Sequence, residues 1–422
     1  MAVLKAAGKK DLLDKVMGKL RARAPDAGGE SGTFEVTRSS ERILSEVKYV
    51  LTTGLEPLDA YTGGLPFGRV VEVFGLEGSG KSALAIRCCA RAQGRFIFER
   101  SRNAEGQIVF KRVEECDVFV LYVDNEQSID DDQKLVVDGI EIDAMIGRCD
   151  TVDQMFKMIE TVVNTVAEIQ EKQPERPCFV VSVVDTIAGT SSKEELKADW
   201  GAVDYVRQPA QLRRGFRRIT REINRHNVLW LCTNQVGDNF KATPRRYGST
   251  LPRPEDFTTF GGRALKFYAS LRIFMFIVNS NYKLNKKSVG GPSGFVAGFI
   301  TVKNRQAKPL REGRIVMLFD RGLSNVYSIL ETMVKTKLAE RDERGNCAFK
   351  FNSVGIPVET FEGLKSNENP RLPSLAEWPA FYETHKADMD KLWARSLSLA
   401  FNDDSIKAED EDAGLLEDED AG

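Results

Sequence analysis

The stretch Gly75-Leu76-Glu77-Gly78-Ser79-Gly80-Lys81-Ser82 limits what this chain can fold into more than any other part of it. It matches GxxxxGK[ST], follows an apolar run at residues 70–74, and opens a helical pattern at 82–93. Strand, glycine loop and helix in that order form the context in which this pattern cradles phosphates. The glycines let successive backbone N–H groups close on an anion, and the helix N-terminus adds partial positive charge. Lys81 is expected to reach the β- and γ-phosphates and Ser82 to ligate Mg²⁺. Gly75, Leu76, Glu77, Gly78, Ser79 and Gly80 line the loop. Such a site takes ATP or GTP.

The surrounding pattern supports the same fold class. Runs rich in Val, Ile and Phe recur at 70–74, 118–123, 179–184, 228–233, 271–278 and 299–302, with 315–319 following. The first four read as strands of a buried parallel sheet. Helical spacing fills the gaps at 82–93, 152–173 and 206–226, which makes the fold α/β with a mainly parallel central sheet. Residues 95–116 are polar between two core elements and read as a surface insertion, a hairpin. The chain divides into an N-terminal helix and linker at 1–33, an ATPase core at 34–325, a small, mostly helical module at 326–401 and an acidic tail at 402–422. The 9–23 helix carries an apolar stripe that needs a partner, either a neighbouring subunit or its own body.

Two carboxylates sit where strands end. Asp124-Asn125-Glu126 places Glu126 just past the second strand, where it can activate a water or simply be a solvated loop acid. Val183-Val184-Asp185-Thr186 ends the third strand in one acid after an apolar run. Asp185 would hold Mg²⁺ through water or cap the next helix. The fourth strand ends in Thr233-Asn234-Gln235, where Gln235 is either a γ-phosphate sensor or a bare strand end.

Charge adds a partner class. Residues 402–422 hold ten acidic residues against one base, Lys407, so they carry −9 and the rest of the chain +7 of a total −2. A basic body suggests a polyanion partner, and the tail can compete with it or only solubilise. Seven cysteines without a CxxC pair argue for reduced thiols. Two histidines make histidine-based metal or triad chemistry an unpromising reading. No signal core or membrane span is apparent, so a cytoplasmic protein with no membrane partner is expected.

Three further strings resemble the RecA family. They are Leu51-Thr52-Thr53-Gly54 leading through Leu58-Asp59 to Gly63–Glu72, then Thr258-Thr259-Phe260-Gly261-Gly262-Arg263-Ala264-Leu265-Lys266-Phe267-Tyr268-Ala269-Ser270, then Val302-Lys303-Asn304-Arg305 with Pro309. The resemblance implies a RecA-type ATPase that coats single-stranded DNA as a homo-oligomeric helical filament. It would pair that strand with homologous duplex DNA and exchange strands, in recombination and repair. Its cofactors would be ATP and Mg²⁺, with single-strand-binding and mediator proteins as further partners. By the same resemblance Glu126 is the catalytic glutamate, and Gln235 couples the γ-phosphate to a DNA loop. Lys303 and Arg305 reach ATP from the adjacent protomer, and Asp130 joins the nucleotide site. Lys266, Phe267 and Arg272 match interface positions.

DNA contacts are expected from two loops, 199–205 and 236–260, and from the basic helix between them. Arg213 and Arg217 lie one turn apart and can meet successive phosphates or merely solvate a helix face. Lys241, Arg245 and Arg246 interleave with aromatics, as suits single strands, and Gly261, Gly262 and Arg263 close the second loop. The chain departs from the family at the insertion 95–116, in a longer second loop, in Gln133 where an adenine-stacking tyrosine is usual, and in Arg263 where asparagine is usual. Those departures suggest a divergent member, similar in role to the phage recombinase UvsX. The competing readings are a ring helicase of the same fold and a non-catalytic recombination mediator.

Overall fold

Strands buried on both faces read as continuous apolar runs, and these runs become the middle of a nine-stranded sheet. The computed structural model describes residues 47–103, 108–126, 136–137, 140–192, 207–239, 251–284, 291–341, 347–349 and 374–401. The 9–23 helix, the 199–205 loop and the acidic tail lie outside them.

In chain order the elements begin with β1 (Tyr49–Leu51), α1 (Glu56–Thr62), β2 (Leu65–Pro66), β3 (Arg69–Gly75) and α2 (Lys81–Gln93). There follow β4 (Ile97–Arg102), β5 (Ile108–Arg112), β6 (Asp117–Asp124), β7 (Val136–Val137), β8 (Ile140–Glu141) and β9 (Met145–Gly147). Next come α3 (Val152–Lys172), β10 (Cys178–Asp185), α4 (Arg207–Arg225), β11 (Val228–Asn234), β12 (Val236–Asp238), β13 (Phe257–Thr259) and α5 (Ala264–Tyr268). The rest are β14 (Leu271–Tyr282), β15 (Gly294–Asn304), β16 (Glu312–Leu318), β17 (Gly322–Ser324), α6 (Asn325–Lys335), β18 (Ala339–Arg341), β19 (Cys347–Phe349), α7 (Trp378–Thr384) and α8 (Lys386–Phe401).

The large sheet runs β17-β16-β15-β14-β3-β11-β10-β6-β9. From β14 to β9 every neighbouring pair is parallel, and β15, β16 and β17 continue it antiparallel. Helix α2 covers one face, where Leu84, Ala85 and Cys88 meet Val71, Val181 and Leu229. Helices α3 and α4 cover the other, where Met155, Phe216 and Ile223 meet Val180, Trp230 and Cys232. A capping box starts α3: Thr151 Oγ1 accepts from Gln154 N at 3.2 Å, and Gln154 Oε1 accepts from Thr151 N at 3.0 Å. Such a cap is worth about 1 kcal/mol. Cys88, Cys89, Cys116, Cys149, Cys178 and Cys232 are free and buried. No described helix is long and apolar enough to cross a membrane.

Several sequence expectations shift in extent, and the strand read at 271–278 runs on to Tyr282. The strand read at 299–302 spans Gly294–Asn304, because its polar ends still pair with β14, Lys303 opposite Arg272. The strand read at 315–319 is Glu312–Leu318, and it pairs with β15 throughout. The insertion is a hairpin, β4 and β5, which joins β1 and β2 in a second, four-stranded sheet. After Asn325 the described chain is mainly helical, with the short pair β18–β19. Trp378, Tyr382 and Trp393 pack there with Leu330 and Val316.

Candidate functional site

The parallel strands deliver their C-terminal ends to one edge of the sheet, where open α/β folds bind ligands. There β3 ends at Gly75, β10 at Asp185 and β11 at Asn234, with Asn125 and Glu126 just beyond β6. A cleft of about 280 Å³ opens between them, lined by Lys81, Ser82, Glu126, Asp185 and Gln235 among others. Side chains from four separate places in the sequence thus meet around one space.

The loop after β3 has little freedom to vary. Gly75 sits at φ 154°, and a Cβ there would lie 1.9 Å from the Met275 carbonyl oxygen. Gly78 and Gly80 also take positive φ, 67° and 92°. Ser79 Oγ donates to Leu76 O at 2.7 Å, and Lys81 Nζ donates to Gly75 O at 3.1 Å and Leu76 O at 2.8 Å. Burial pushes the Lys81 ammonium below its ordinary pKa, while the charges of Asp185, Glu126 and Glu77 oppose that shift. Lys81, Asp185, Glu126 and Glu77 thus line one charged cleft. Ser82, in the first turn of α2, shares that space with Asp185. The two supply the hard oxygen donors Mg²⁺ prefers, so the residues fit the metal.

Asp185, 2% exposed, accepts from Tyr122 Oη at 2.6 Å and from Thr233 Oγ1 at 2.5 Å. Gln235 Nε2 donates to Glu126 Oε1 at 2.6 Å. The residue before it, Asn234, is fully buried. Its Nδ2 donates at 3.0 Å to both Glu72 Oε1 and Phe260 O, so it ties β3 to the end of the second loop. Glu72 in turn accepts from Arg272 Nε at 2.5 Å.

Lys303 and Arg305 stand elsewhere. Lys303 Nζ donates to the Lys266 and Phe267 carbonyls, both at 2.9 Å. Burial first, then the charges of Arg305 and Arg272, lower its pKa to about 8, with Glu72 opposing. Arg305 lies within electrostatic reach of Arg69, the first residue of β3. Six residues of strand, roughly 20 Å at 3.3 Å per residue, separate Arg69 from Gly75. That distance holds Arg305 away from the glycine loop of its own chain, while Lys303, level with Glu72, spends its ammonium on the two α5 carbonyls.

On the same side as α4, Arg213, Arg217 and Arg263 line an open cleft of about 760 Å³ with Arg214 and Phe267. Gly261 and Gly262, at φ 77° and 67°, press the turn against the start of α4. A Cβ on Gly261 would come 2.6 Å from Leu212 Cδ1. Asp130, Lys241, Arg245 and Arg246 lie outside the described residues. The sequence reading missed Tyr122, Thr233, Asn234 and Glu72. For Glu72 a signal existed, since one acid inside the run 70–74 must find a partner.

The family model of the RecA N-terminal domain matches residues 35–324. The protein named RecA of Acidiphilium cryptum is 30% identical over 315 residues, 74% of this chain and 78% of that one. RecA of Wolbachia sp. subsp. Brugia malayi is 27% identical over 371 residues, 87% and 86% of the two chains. RecA of Thermus thermophilus is 28% identical over 317 residues, 74% and 79%.

Proposed function

The chain belongs to the RecA family, and we propose that it binds ATP with Mg²⁺ between successive copies of itself on single-stranded DNA. Membership makes it an ATP-dependent recombination and repair protein and a DNA-dependent ATPase that binds nucleotide and DNA and assembles on itself. The ring helicase and the mediator are not favoured.

One observation carries the residue-level reading. Lys81, Ser82, Glu126, Asp185 and Gln235 share one cleft, while Arg305 lies within reach of Arg69 at the other end of β3 and Lys303, level with Glu72, turns its ammonium to the Lys266 and Phe267 carbonyls. In this reading residues 75–82 wrap the phosphates, and Ser82 and Asp185 hold Mg²⁺. Bound there, Mg²⁺ neutralises phosphate charge and orients the terminal group. Glu126 orients the attacking water and takes its proton. Lys303 and Arg305 stabilise transition-state charge on a neighbouring copy's nucleotide, so hydrolysis depends on assembly. Asp130 completes the nucleotide contacts.

Single-stranded DNA runs past Arg213, Arg217, Gly261, Gly262 and Arg263, with Lys241, Arg245 and Arg246 from the second loop. Homologous duplex is then paired and strands exchanged in the cytoplasm, assisted by single-strand-binding and mediator proteins. The 1–33 arm serves polymerisation, 34–325 is the ATPase core, 326–401 is a small C-terminal domain, and 402–422 is an acidic tail.

The test is electron microscopy with single-stranded DNA and a slowly hydrolysed ATP analogue. Continuous, nucleotide-dependent helical filaments are expected. Closed rings would favour the helicase, and dispersed particles the mediator.

A further inference from the structure

Asp185 ends β10, and a hydroxyl from each flanking strand reaches one of its carboxylate oxygens. Tyr122 on β6 donates to Oδ2 at 2.6 Å, and Thr233 on β11 donates to Oδ1 at 2.5 Å. The register explains the arrangement. Val183 lies opposite Tyr122 and Val184 opposite Cys232, so Thr233 falls beside Asp185 and Tyr122 falls diagonal to it. All three side chains stand on the face that α2 covers.

The donors are permanent. Tyr122 is 2% exposed and Thr233 fully buried. A phenol is protonated at neutral pH, and facing a carboxylate oxygen the Tyr122 hydroxyl can only donate. The Thr233 hydroxyl has one proton, and its other acceptor, Val184 O, is farther away at 3.4 Å. The closer, charged oxygen takes it.

A carboxylate free of such contacts rotates broadly about its terminal torsion. With one hydroxyl bound to each oxygen, its plane is set, and each oxygen keeps a lone pair for another donor or a cation. Groups behind a metal-bearing ligand act in this way, orienting it and tuning its affinity.

We propose that Tyr122 and Thr233 are positioning residues for the divalent-cation side of the nucleotide site, fixing the carboxylate plane from which Asp185 works. The inference rests on the reading of Asp185 as the Mg²⁺-bearing acid. Neither residue lines the cleft. Both act through Asp185, and the quantity they set is the Mg²⁺ concentration at which nucleotide is captured.

The experiment is an Mg²⁺ titration of fluorescent ATP-analogue binding by the full chain, without DNA and without turnover. It compares the parent with Tyr122→Phe, Thr233→Val, Thr233→Ser and Asp185→Asn. In Tyr122→Phe and Thr233→Val the Mg²⁺ midpoint should rise about 10- to 100-fold, with binding restored at excess Mg²⁺. Thr233→Ser, which keeps the hydroxyl, should return to the parent midpoint. The double variant should add little to either single change, because one lost anchor already frees the plane. If Asp185→Asn moves the midpoint while Tyr122→Phe and Thr233→Val do not, the positioning role is overturned and the metal reading stands. If Asp185→Asn does not move it either, the metal reading falls and the inference with it. Should thermal unfolding show that Tyr122→Phe does not fold, the Thr233→Val and Thr233→Ser pair decides the matter alone.

Discussion

Gln235 donates its side-chain amide to Glu126 across 2.6 Å. The acid proposed for water activation and the amide proposed for phosphate sensing are therefore in direct contact. Gln235 directly follows Asn234, whose amide holds the end of the second loop. A change at the phosphate can reach that loop through two adjacent residues.

Glu126→Gln should cut single-stranded-DNA-stimulated hydrolysis by about 10²- to 10⁴-fold, the usual worth of a general base. Filaments formed with ATP should persist. Phosphate release and microscopy on one preparation check both halves. Gln235→Ala should instead erase the stimulation, bringing turnover with DNA to within about twofold of turnover without it. Full stimulation in that variant would remove Gln235 from the coupling.

If Lys303 meets a neighbour's phosphate, as proposed, assembly acquires a pH dependence. Its ammonium has a pKa of about 8 in the free chain, below the ordinary lysine value. Meeting a neighbour's phosphate favours the charged form and raises that pKa. Above pH 8 assembly must therefore take up a proton, and it weakens as pH rises by up to about tenfold per unit for one linked proton. Below pH 8 the side chain is already charged and the dependence flattens. Lys303→Arg should stay flat to pH 9.5. Light scattering against nucleotide concentration across pH 7 to 9.5 reads the difference, and identical profiles would sink the assignment.

Arg213, Arg217 and Arg263 should each behave as a phosphate contact. Replacing one by alanine should weaken binding to all single-stranded sequences alike. It should also reduce the slope of log affinity against log salt by about 0.7. An unchanged slope would return that arginine to the solvated helix face.

Asn234 is a stability prediction. Asn234→Ala leaves the Glu72 and Phe260 oxygens short of a buried donor, at a cost of about 1–3 kcal/mol. Asn234→Asp also sets a second carboxylate about 3 Å from Glu72, so its cost should exceed that of alanine. Urea denaturation ranks the two, and equal midpoints would show that the contact contributes little.

The phosphate loop was legible because its requirements are local: a strand, glycines at fixed positions, a lysine and a helix start. Asp185 and Gln235 were legible as candidates because apolar runs end at them. Their partners were not, because Tyr122, Thr233 and Asp185 meet only through the lateral order β6-β10-β11 and its register. A tyrosine or threonine in an apolar run looks the same whether its hydroxyl faces a carboxylate or a carbonyl. The hairpin at 97–112 was legible as an insertion from its polarity. Its union with β1 and β2 was hidden because β1 lies about fifty residues upstream and is three residues long.

If Lys303 and Arg305 complete a neighbour's nucleotide site as proposed, any head-to-tail row has two chemically unlike termini. One terminus carries a nucleotide that no neighbour completes, and the other carries a basic pair with nothing to complete. Growth and shrinkage there answer to different reactions, so the row has a direction even on a featureless track. A minority of copies lacking the basic pair would each silence the site next door while keeping its own intact, and activity would fall in proportion to their share.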